Sequence, residues 1–326
     1  MNKLRTRYRA ASSPVDEHRP QNAFWGPVRR QQGNGYLDLD FTPDENQPRP
    51  EQCPTCSHRV LLFVANVYGW PIYECRRCHA GFVWPQPSSE LLEQFYGPGY
   101  WSNYLGSSEP LYCRFDDGSA SWRGSECLGR ILGRNLEARI LDVGAGDGTM
   151  LRYLADAGYK NILGIELDKD NAQRAQDKLG VPVVAVDFLT FKEGGWDAII
   201  LWANVEHLKD PLSFLRHARS LLRSGGVCIV MTGDNSSAHA WMQGTLDSWV
   251  YPPEHLFYFT RSSLLCLFRE AGFERFRWRL QFQPIWKESI LWAHRFFRSV
   301  RIRIFSQNRF WRSTLTNLLV VWGQKP

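Results

Sequence analysis

From about Arg139 onward, short apolar runs alternate with amphipathic stretches, and this alternation constrains the fold more than any other feature of the sequence. The apolar runs at residues 140–143 and 196–202 have the length of buried strands. Helical patterns such as residues 170–179 lie between such runs and end at a glycine. Buried strands separated by helices favour a parallel sheet that is covered on both faces. The sequence therefore predicts an α/β fold over residues 139–326.

A glycine loop, residues 144–148, joins the first of these strands to the helix that follows it. Its glycines allow the backbone to approach a ligand closely, and the helix N-terminus offers free N–H groups. A dinucleotide-binding fingerprint requires its third glycine at position 149, where this chain has Thr149. The loop therefore favours a nucleoside ligand with an amino-acid end over one with a pyrophosphate.

Three acids stand at the ends of successive predicted strands: Asp142, Glu166 and Asp187. The carboxyl ends of parallel strands meet at one edge of the sheet, where α/β proteins bind their ligands. We expect Asp142 to face an ammonium group and Glu166 to accept hydrogen bonds from both ribose hydroxyls. Asp187 is expected to accept from an adenine amino group.

Two Cys-x-x-Cys pairs precede this region, at Cys53 and Cys56 and at Cys75 and Cys78. Four thiolates in two such pairs are typical of a closed tetrahedral Zn²⁺ site, which is structural because no coordination position stays open. A redox pair would stand alone beside a βαβ unit, which this spacing does not match. His58 and His79 could replace a ligand, but four cysteines suffice, so supporting positions around the ion or surface positions are favoured for them.

The chain is predicted to have four parts: a disordered arm (1–50), a zinc-binding unit (51–87), a helical and aromatic connector that covers the ligand site (88–138), and the α/β domain (139–326) with a basic amphipathic insertion at about 285–314. Hydrophobic residues make up 44% of the chain, which excludes disorder throughout. No apolar run is long enough to span a bilayer, and we predict no signal peptide. The expected location is cytoplasmic.

The net charge of +6 is unevenly distributed, because the excess of basic residues lies beyond residue 260. In the basic insertion, arginines such as Arg295 and Arg298 alternate with aromatic residues such as Trp292 and Phe297. The favoured interpretation is a substrate lid or dimer helix. Contact with an anionic membrane surface is an alternative, which would suit a lipid-linked substrate. Nucleic-acid binding is the least favoured.

Several of these motifs together resemble the class I S-adenosylmethionine-dependent methyltransferases. They are the sequence ILDVGAGDGTM at residues 140–150, the acids Glu166 and Asp187, and the sequence DAIILWANVEHLKDP at residues 197–211. The cysteine pairs and the sequence EHLFYF at residues 254–259 are similar to bacterial sugar and natural-product methyltransferases that contain zinc. The resemblance implies a seven-stranded Rossmann-like sheet and S-adenosyl-L-methionine as cofactor.

The resemblance also implies a set of cofactor-binding residues along the carboxyl edge of the sheet. The methionine part is expected at Asp142, Gly144, Ala145 and Gly146, the ribose at Glu166 with Leu167, and the adenine at Asp187 with Phe188. Trp202 and Ala203 are expected to flank the cofactor, and Tyr96, Tyr100 and Trp101 to cover it from the N-terminal side.

The chain departs from the related motifs at two positions. Ala203 replaces the first acid of an ExxEH sequence that can hold a metal in ubiquinone-type O-methyltransferases, which argues against a metal there. Pro252 stands where the sugar C-methyltransferases have the tyrosine of a Tyr-x-Glu-His sequence, and Tyr251 precedes it. Glu254 and His255 are retained, so the base is retained while C-methylation is left open.

Methyl transfer from a sulfonium is an in-line displacement, in which the enzyme aligns the acceptor and removes its proton. His255 is the first choice of base, with Glu254 to orient it, and His207 is the second. The predicted reaction is methylation of a small molecule, such as a nucleotide-linked or lipid-linked sugar. The alternatives are a nucleic-acid methyltransferase and a non-catalytic protein that binds through its zinc unit and basic segment.

Overall fold

The computed structural model describes residues 49–67, 69–96, 126–133, 135–237, 240–241, 244, 249–281 and 318–326. The predicted arm up to residue 48, the connector from 97 to 125 and the basic insertion at 285–314 lie outside the described residues. So do Tyr100 and Trp101, two of the predicted aromatic residues over the cofactor.

The described elements alternate between strands and helices over most of the chain. The strands are β1 (Leu61–Val67), β2 (Trp70–Cys75), β3 (Gly81–Val83), β4 (Arg139–Val143), β5 (Asn161–Glu166), β6 (Val183–Ala185), β7 (Trp196–Trp202), β8 (Leu222–Gly233), β9 (Phe257–Tyr258), β10 (Glu274–Gln281) and β11 (Leu318–Gln324). The α-helices are α1 (Ser89–Phe95), α2 (Glu126–Leu132), α3 (Thr149–Asp156), α4 (Lys169–Leu179), α5 (Pro211–Leu221) and α6 (Arg261–Glu270).

Seven strands form one mixed sheet in the order β10-β11-β8-β7-β4-β5-β6. The five strands from β8 to β6 are parallel, and β11 and β10 are antiparallel to their neighbours. Successive residues of β4 pack on opposite faces: Leu141 lies in one apolar core, and Ile140 lies in the other. Burial on both faces explains the continuous apolar runs, and the predicted α/β fold is confirmed.

A second, smaller sheet has the order β1-β2-β3-β9 and is antiparallel. Its first three strands belong to the cysteine-rich unit, whereas β9 comes from the segment after β8. The backbone N–H of Val83 also donates to the carbonyl of Leu256 at 2.9 Å. Backbone hydrogen bonds therefore join the cysteine-rich unit to the segment that contains His255.

The described residues on either side of the predicted basic insertion are paired on the large sheet. Gln281, the last residue of β10, pairs with Leu318, which in turn pairs with Gly233 at the carboxyl end of β8. Gln281 and Leu318 therefore lie at the edge that carries the strand-end acids. Within the described residues, no helix is long and apolar enough to cross a membrane.

Candidate functional site

The predicted glycine loop is formed between β4 and α3. Gly144, Gly146 and Gly148 have φ angles of 73°, 56° and 83°, which favour glycine because a side chain would be strained there. The N–H groups of Gly144 and Ala145 donate to the carbonyl of Ile165 at 2.8 and 2.9 Å. These bonds fix the start of the loop to the end of β5.

Glu166 fixes the middle of the loop and lies where the sequence placed it, at the end of β5. Its Oε2 accepts from the backbone N–H of Gly146 at 2.7 Å. Its Oε1 accepts from the N–H groups of Leu167 and Asp168 at 2.9 and 3.1 Å. Burial raises the pKa of Glu166, and the three backbone donors partly offset that rise.

Asp142 lies under the loop and is almost completely buried, with 2% of its surface exposed. Its Oδ2 has no hydrogen-bond partner among the residues that the structure describes. Burial, together with the charges of Glu166 and Asp147, raises the pKa of Asp142 to about 7. A buried carboxyl group in this state requires either a proton or a cationic ligand.

The third strand-end acid has a local role in the described structure. Oδ1 of Asp187 accepts from the backbone N–H of Leu189 at 2.9 Å and caps the short 3₁₀ helix Phe188–Thr190. The ring of Phe188 is buried, with centroid distances of 5.5 Å to Phe214 and 4.9 Å to His217. The ring lies in the core, so only the backbone of Phe188 is left to contact an adenine. Leu167, in contrast, is 75% exposed at the same edge.

The turn after β7 brings a further residue to the loop. Ala203 has a φ angle of 49°, an unusual value for a residue with a side chain, and it directly follows the half-buried Trp202. This turn places Asn204 over the glycine loop: a Cβ atom on Gly144 would lie 2.3 Å from Asn204 Nδ2. The sequence analysis missed Asn204, although the glycine required at position 144 is a sign of such a close neighbour.

A cluster of Tyr96, His207 and the carbonyl of Glu254 joins three distant parts of the chain. The hydroxyl of Tyr96 lies 2.9 Å from His207 Nδ1 and donates to the carbonyl of Glu254 at 3.0 Å. His207 Nδ1 also lies 3.0 Å from that carbonyl. Because a carbonyl only accepts, this network assigns the proton of His207 to Nδ1 and leaves Nε2 with a free lone pair.

His255 is oriented in the same way, by a residue that the sequence analysis did not identify. Its Nδ1 lies 2.8 Å from the carbonyl of Trp249, and its ring stacks on Trp249 with centroids 5.3 Å apart. The ring of His207 meets it edge-on at 4.6 Å. Trp249 therefore holds the ring of His255, and the backbone N–H of His255 donates to the carbonyl of Tyr251 at 2.9 Å. The orienting role of Glu254 stays a prediction.

Burial keeps the side chains of His207, His255 and Glu206 largely uncharged at neutral pH. Desolvation lowers the pKa of His255 to about 4, and desolvation together with the neighbouring His255 lowers that of His207 to about 3. The adjoining Glu206 is 1% exposed, and burial raises its pKa to about 8 even though Thr232 favours its charged form. Glu206 lies in the sequence DAIILWANVEHLKDP at residues 197–211, and this sequence does not indicate that its side chain is buried.

A small, open recess lies beside Trp249 at the carboxyl end of β8. Trp249 packs directly on the backbone there, since a Cβ atom on Gly233 would lie 2.6 Å from its ring. The recess is lined by Thr232, Gly233, Asn235, Trp249, Phe257, Tyr258 and Phe259.

The four cysteines of the small sheet converge as the sequence predicts. All four side chains are buried, and the Sγ atoms lie 3.7 Å apart for Cys53 and Cys78 and 3.6 Å apart for Cys56 and Cys75. Tetrahedral Zn²⁺ with Zn–S bonds of about 2.3 Å separates its sulfur ligands by about 3.8 Å, so the set fits this ion. Zinc bound there would stabilise the fold and leave no position for a substrate.

The surroundings of the cysteines also fit a structural metal centre. The N–H groups of Thr55 and Arg77 each point at a cysteine sulfur from 3.4 Å. His79 Nδ1 lies 3.0 Å from a carboxylate oxygen of Glu74, which gives His79 a partner other than the ion. Ser262 on α6 donates to the carbonyl of Cys78 at 2.9 Å and fixes the unit to the large domain.

Comparison with known proteins gives a consistent assignment. A family model described as a methyltransferase domain matches residues 123–275. A ubiquinone biosynthesis O-methyltransferase from a Caulobacter species is 30% identical over 29% of this chain and 40% of its own length. The protein of the same name from Ruegeria pomeroyi is 29% identical over 47% of this chain and 67% of its own length.

A solved structure has a similar fold. The crystal structure of the cyclase SpnF matches with a TM-score of 0.50 and 18% identity, over 74% of this chain and 98% of that one. This chain spans about two fifths of the length of the first curated relatives that it matches. Residues 123–275 therefore match a methyltransferase domain, and the large sheet has the Rossmann-like methyltransferase fold.

Proposed function

We propose that this protein transfers a methyl group from S-adenosylmethionine to a small-molecule acceptor. The observation that carries this proposal is Asp142, a buried carboxyl group with an unpartnered oxygen beneath a glycine loop. S-adenosylmethionine carries an ammonium and a sulfonium group, so it supplies a positive charge that can pair with the carboxylate of Asp142. Its ribose diol matches the carboxylate of Glu166 beside the same loop.

The cofactor lies along the carboxyl edge in this proposal. The start of α3 receives the carboxylate of the methionine part, because a helix N-terminus favours an anion. Asp187 faces the adenine amino group, with Trp202 and Ala203 flanking the ring. Tyr96 closes the site from the N-terminal side, where its hydroxyl already contacts His207.

The proton of the acceptor leaves to His255 Nε2, whose lone pair is free because Nδ1 is held by Trp249. The displacement then forms a bond between the acceptor and the methyl carbon as the bond from that carbon to sulfur breaks. A pKa of about 4 makes His255 a weak base that is always unprotonated at neutral pH. This favours an acceptor whose proton is already acidic, such as a carbon beside a carbonyl or a phenol-like hydroxyl.

For the acceptor itself we propose a nucleotide-linked or lipid-linked sugar. The zinc-binding unit before the methyltransferase domain and the Glu254-His255 pair support this class. The relatives named ubiquinone biosynthesis O-methyltransferases favour instead a ring hydroxyl. Membrane contact by the basic insertion and a cytoplasmic location stay predictions.

Methyl-labelled S-adenosylmethionine incubated with the protein and a panel of acceptors tests the proposal. The panel contains keto sugars linked to nucleotides, phenols, and fractionated metabolites of the host. Label in the sugar fraction supports the proposed acceptor, and label in the phenol fraction assigns the alternative. Label in a nucleic-acid fraction, or binding of the cofactor without transfer to any fraction, would overturn the proposal.

The affinity for S-adenosylmethionine is expected to rise with pH between about 6 and 8. Since the pKa of Asp142 is raised to about 7, the group is largely protonated below that pH and ionised above it. The ionised form attracts the cationic cofactor, so binding below pH 7 releases a proton. Calorimetric titrations in buffers of different ionisation enthalpy measure this release.

The variant Asp142→Asn tests whether Asp142 causes this pH dependence, because the amide keeps the shape of the side chain and cannot ionise. The variant should bind the cofactor weakly and lose the proton release. An unchanged pH dependence in Asp142→Asn would assign the titration to another group.

His255→Ala is expected to lower kcat by about 10²- to 10⁴-fold, the usual contribution of a general base. The dissociation constant for S-adenosylmethionine should change little, because the described residues that bind it lie on other strands. In the wild type, the acid limb of the pH profile of kcat should fall near pH 4 and not near 6.5. Steady-state kinetics with the identified acceptor measure both effects.

His217→Gln is the matched control, since His217 lies on α5 and its Nε2 contacts the carbonyl of Phe191 at 2.9 Å. Its kcat should stay near the wild-type value. A His255→Ala variant with wild-type kcat would remove His255 from the mechanism.

A further inference from the structure

We propose that Glu206, His207 and His255 form a binding site for a divalent transition-metal ion. Each of the three offers one ligand atom, and these atoms all lie within 4.8 Å of one another. Glu206 and His207 lie on the short 3₁₀ helix Val205–His207 after β7, and His255 belongs to the segment after β8. The third ligand is therefore supplied by a distant part of the chain and not by position 203, where alanine offers none.

Both histidines have the orientation that a metal requires. The Nδ1 atoms of His207 and His255 face the carbonyls of Glu254 and Trp249, at 3.0 and 2.8 Å. Metal-binding histidines commonly donate one ring N–H to such a partner, which fixes the ring and exposes the other nitrogen. The free Nε2 of His207 lies 3.9 Å from Glu206 Oε1.

Glu206 supplies the reason for an ion to bind. Neither of its carboxylate oxygens has a hydrogen bond of full geometry among the described residues, although the group is buried. Its position is fixed, because its own carbonyl accepts from the N–H of Leu256 at 2.7 Å. A buried carboxyl group is costly to ionise, and a cation bound to it offsets that cost.

The geometry requires only a small closure. Ligand atoms at about 2.0–2.2 Å from one ion lie about 3 Å apart. Side-chain rotations that move each ligand atom by about 1 Å therefore complete the set. Two imidazoles and one carboxylate favour ions such as Zn²⁺, Co²⁺, Ni²⁺ or Fe²⁺ over Mg²⁺ or Ca²⁺. Three protein ligands leave positions open for water or for an acceptor oxygen.

This inference concerns ion binding and goes beyond the proposed methyl transfer. The Nε2 lone pair of His255 serves either the ion or the proton of the acceptor, and not both at once. Ion occupancy therefore changes His255 from a base into a ligand, and metal binding can be measured without any acceptor.

Cobalt titration of the full-length protein, after saturation of its cysteine site with zinc, tests the proposal. Zinc held by four thiolates is not displaced by added Co²⁺ on the scale of the titration, so new visible absorption reports nitrogen and oxygen ligands. We expect one Co²⁺ per chain in the wild type. In Glu206→Gln, the affinity for Co²⁺ should fall by about 100-fold or more. The absorption should also be lost in His207→Ala, a change on the same short helix.

Asp234→Asn is the matched control, because Asp234 is a buried acid at the end of β8 that lies outside the cluster. It should bind Co²⁺ like the wild type. Circular dichroism and calorimetry with S-adenosylmethionine show whether each variant folds and binds the cofactor. A folded wild type that binds no Co²⁺ beyond the cysteine site, or unchanged binding in folded Glu206→Gln, would overturn the inference.

Discussion

Replacement of Cys75 by serine is expected to abolish zinc binding and to unfold the small sheet. Structural zinc contributes about 10–16 kcal/mol to the folding of small four-ligand units, more than a sheet of this size supplies by itself. Cys75 is the last residue of β2 and is fully buried, so the substitution removes one of the four proposed ligands and leaves a hydroxyl group in a buried position.

The damage should extend to the proposed acceptor side of the catalytic site. β3 pairs with β9, and Val83 holds Leu256, the residue after His255. Tyr96, which contacts His207, lies at the end of α1 just beyond the same unit. Hydrogen exchange should therefore increase at residues 255–258, while binding of S-adenosylmethionine persists because Asp142 and Glu166 stand on the large sheet.

Zinc analysis, hydrogen exchange and calorimetry together measure this result. Cys266→Ser is the matched control: Cys266 packs against the cysteine cluster from α6 but is not one of its four members. That variant should keep its zinc and its exchange pattern. Full zinc content in Cys75→Ser would contradict the four-cysteine centre.

Glu166→Ala is expected to weaken binding of S-adenosylmethionine by about 100-fold or more, since hydrogen bonds to a charged group contribute about 1.5–3 kcal/mol each. The carboxylate supports Gly146 through its N–H and is the proposed acceptor for the ribose hydroxyls. The alanine variant thus loses the ligand contact and leaves Gly146, Leu167 and Asp168 without their acceptor. The free energy of unfolding should fall as well.

Calorimetry with S-adenosylmethionine and thermal denaturation measure the two effects. Glu166→Gln should lie between the wild type and alanine, because the amide retains one accepting oxygen. Glu137→Gln is the control: Glu137 is an exposed acid that pairs with Lys160 away from the loop. If Glu166→Ala binds the cofactor with wild-type affinity, Glu166 has no part in the ribose site.

Much of the large sheet could be predicted because its signals are local. The predicted strand at residues 196–202 coincides with β7, and the predicted helix at residues 170–179 lies within α4 and ends at Gly180. A buried parallel strand requires a continuous apolar run, and a helix end favours glycine, so both signals appear in neighbouring residues. The two-residue strand β9 has no such signal and was not predicted.

By itself, the sequence determined the α/β fold, the glycine loop, the convergence of four cysteines and the acids at the strand ends. Each of these follows from periodicity or spacing within a short stretch of chain. Only the tertiary structure decided that Tyr96, His207 and His255 meet, that Trp249 orients His255, and that Glu206 is buried beside them. Several of these contacts join distant residues: Tyr96 and His207 are 111 positions apart, and His207 and Glu254 are 47 positions apart. Such pairs depend on how the connections after β7 and β8 fold over one edge of the sheet, and no local pattern specifies that.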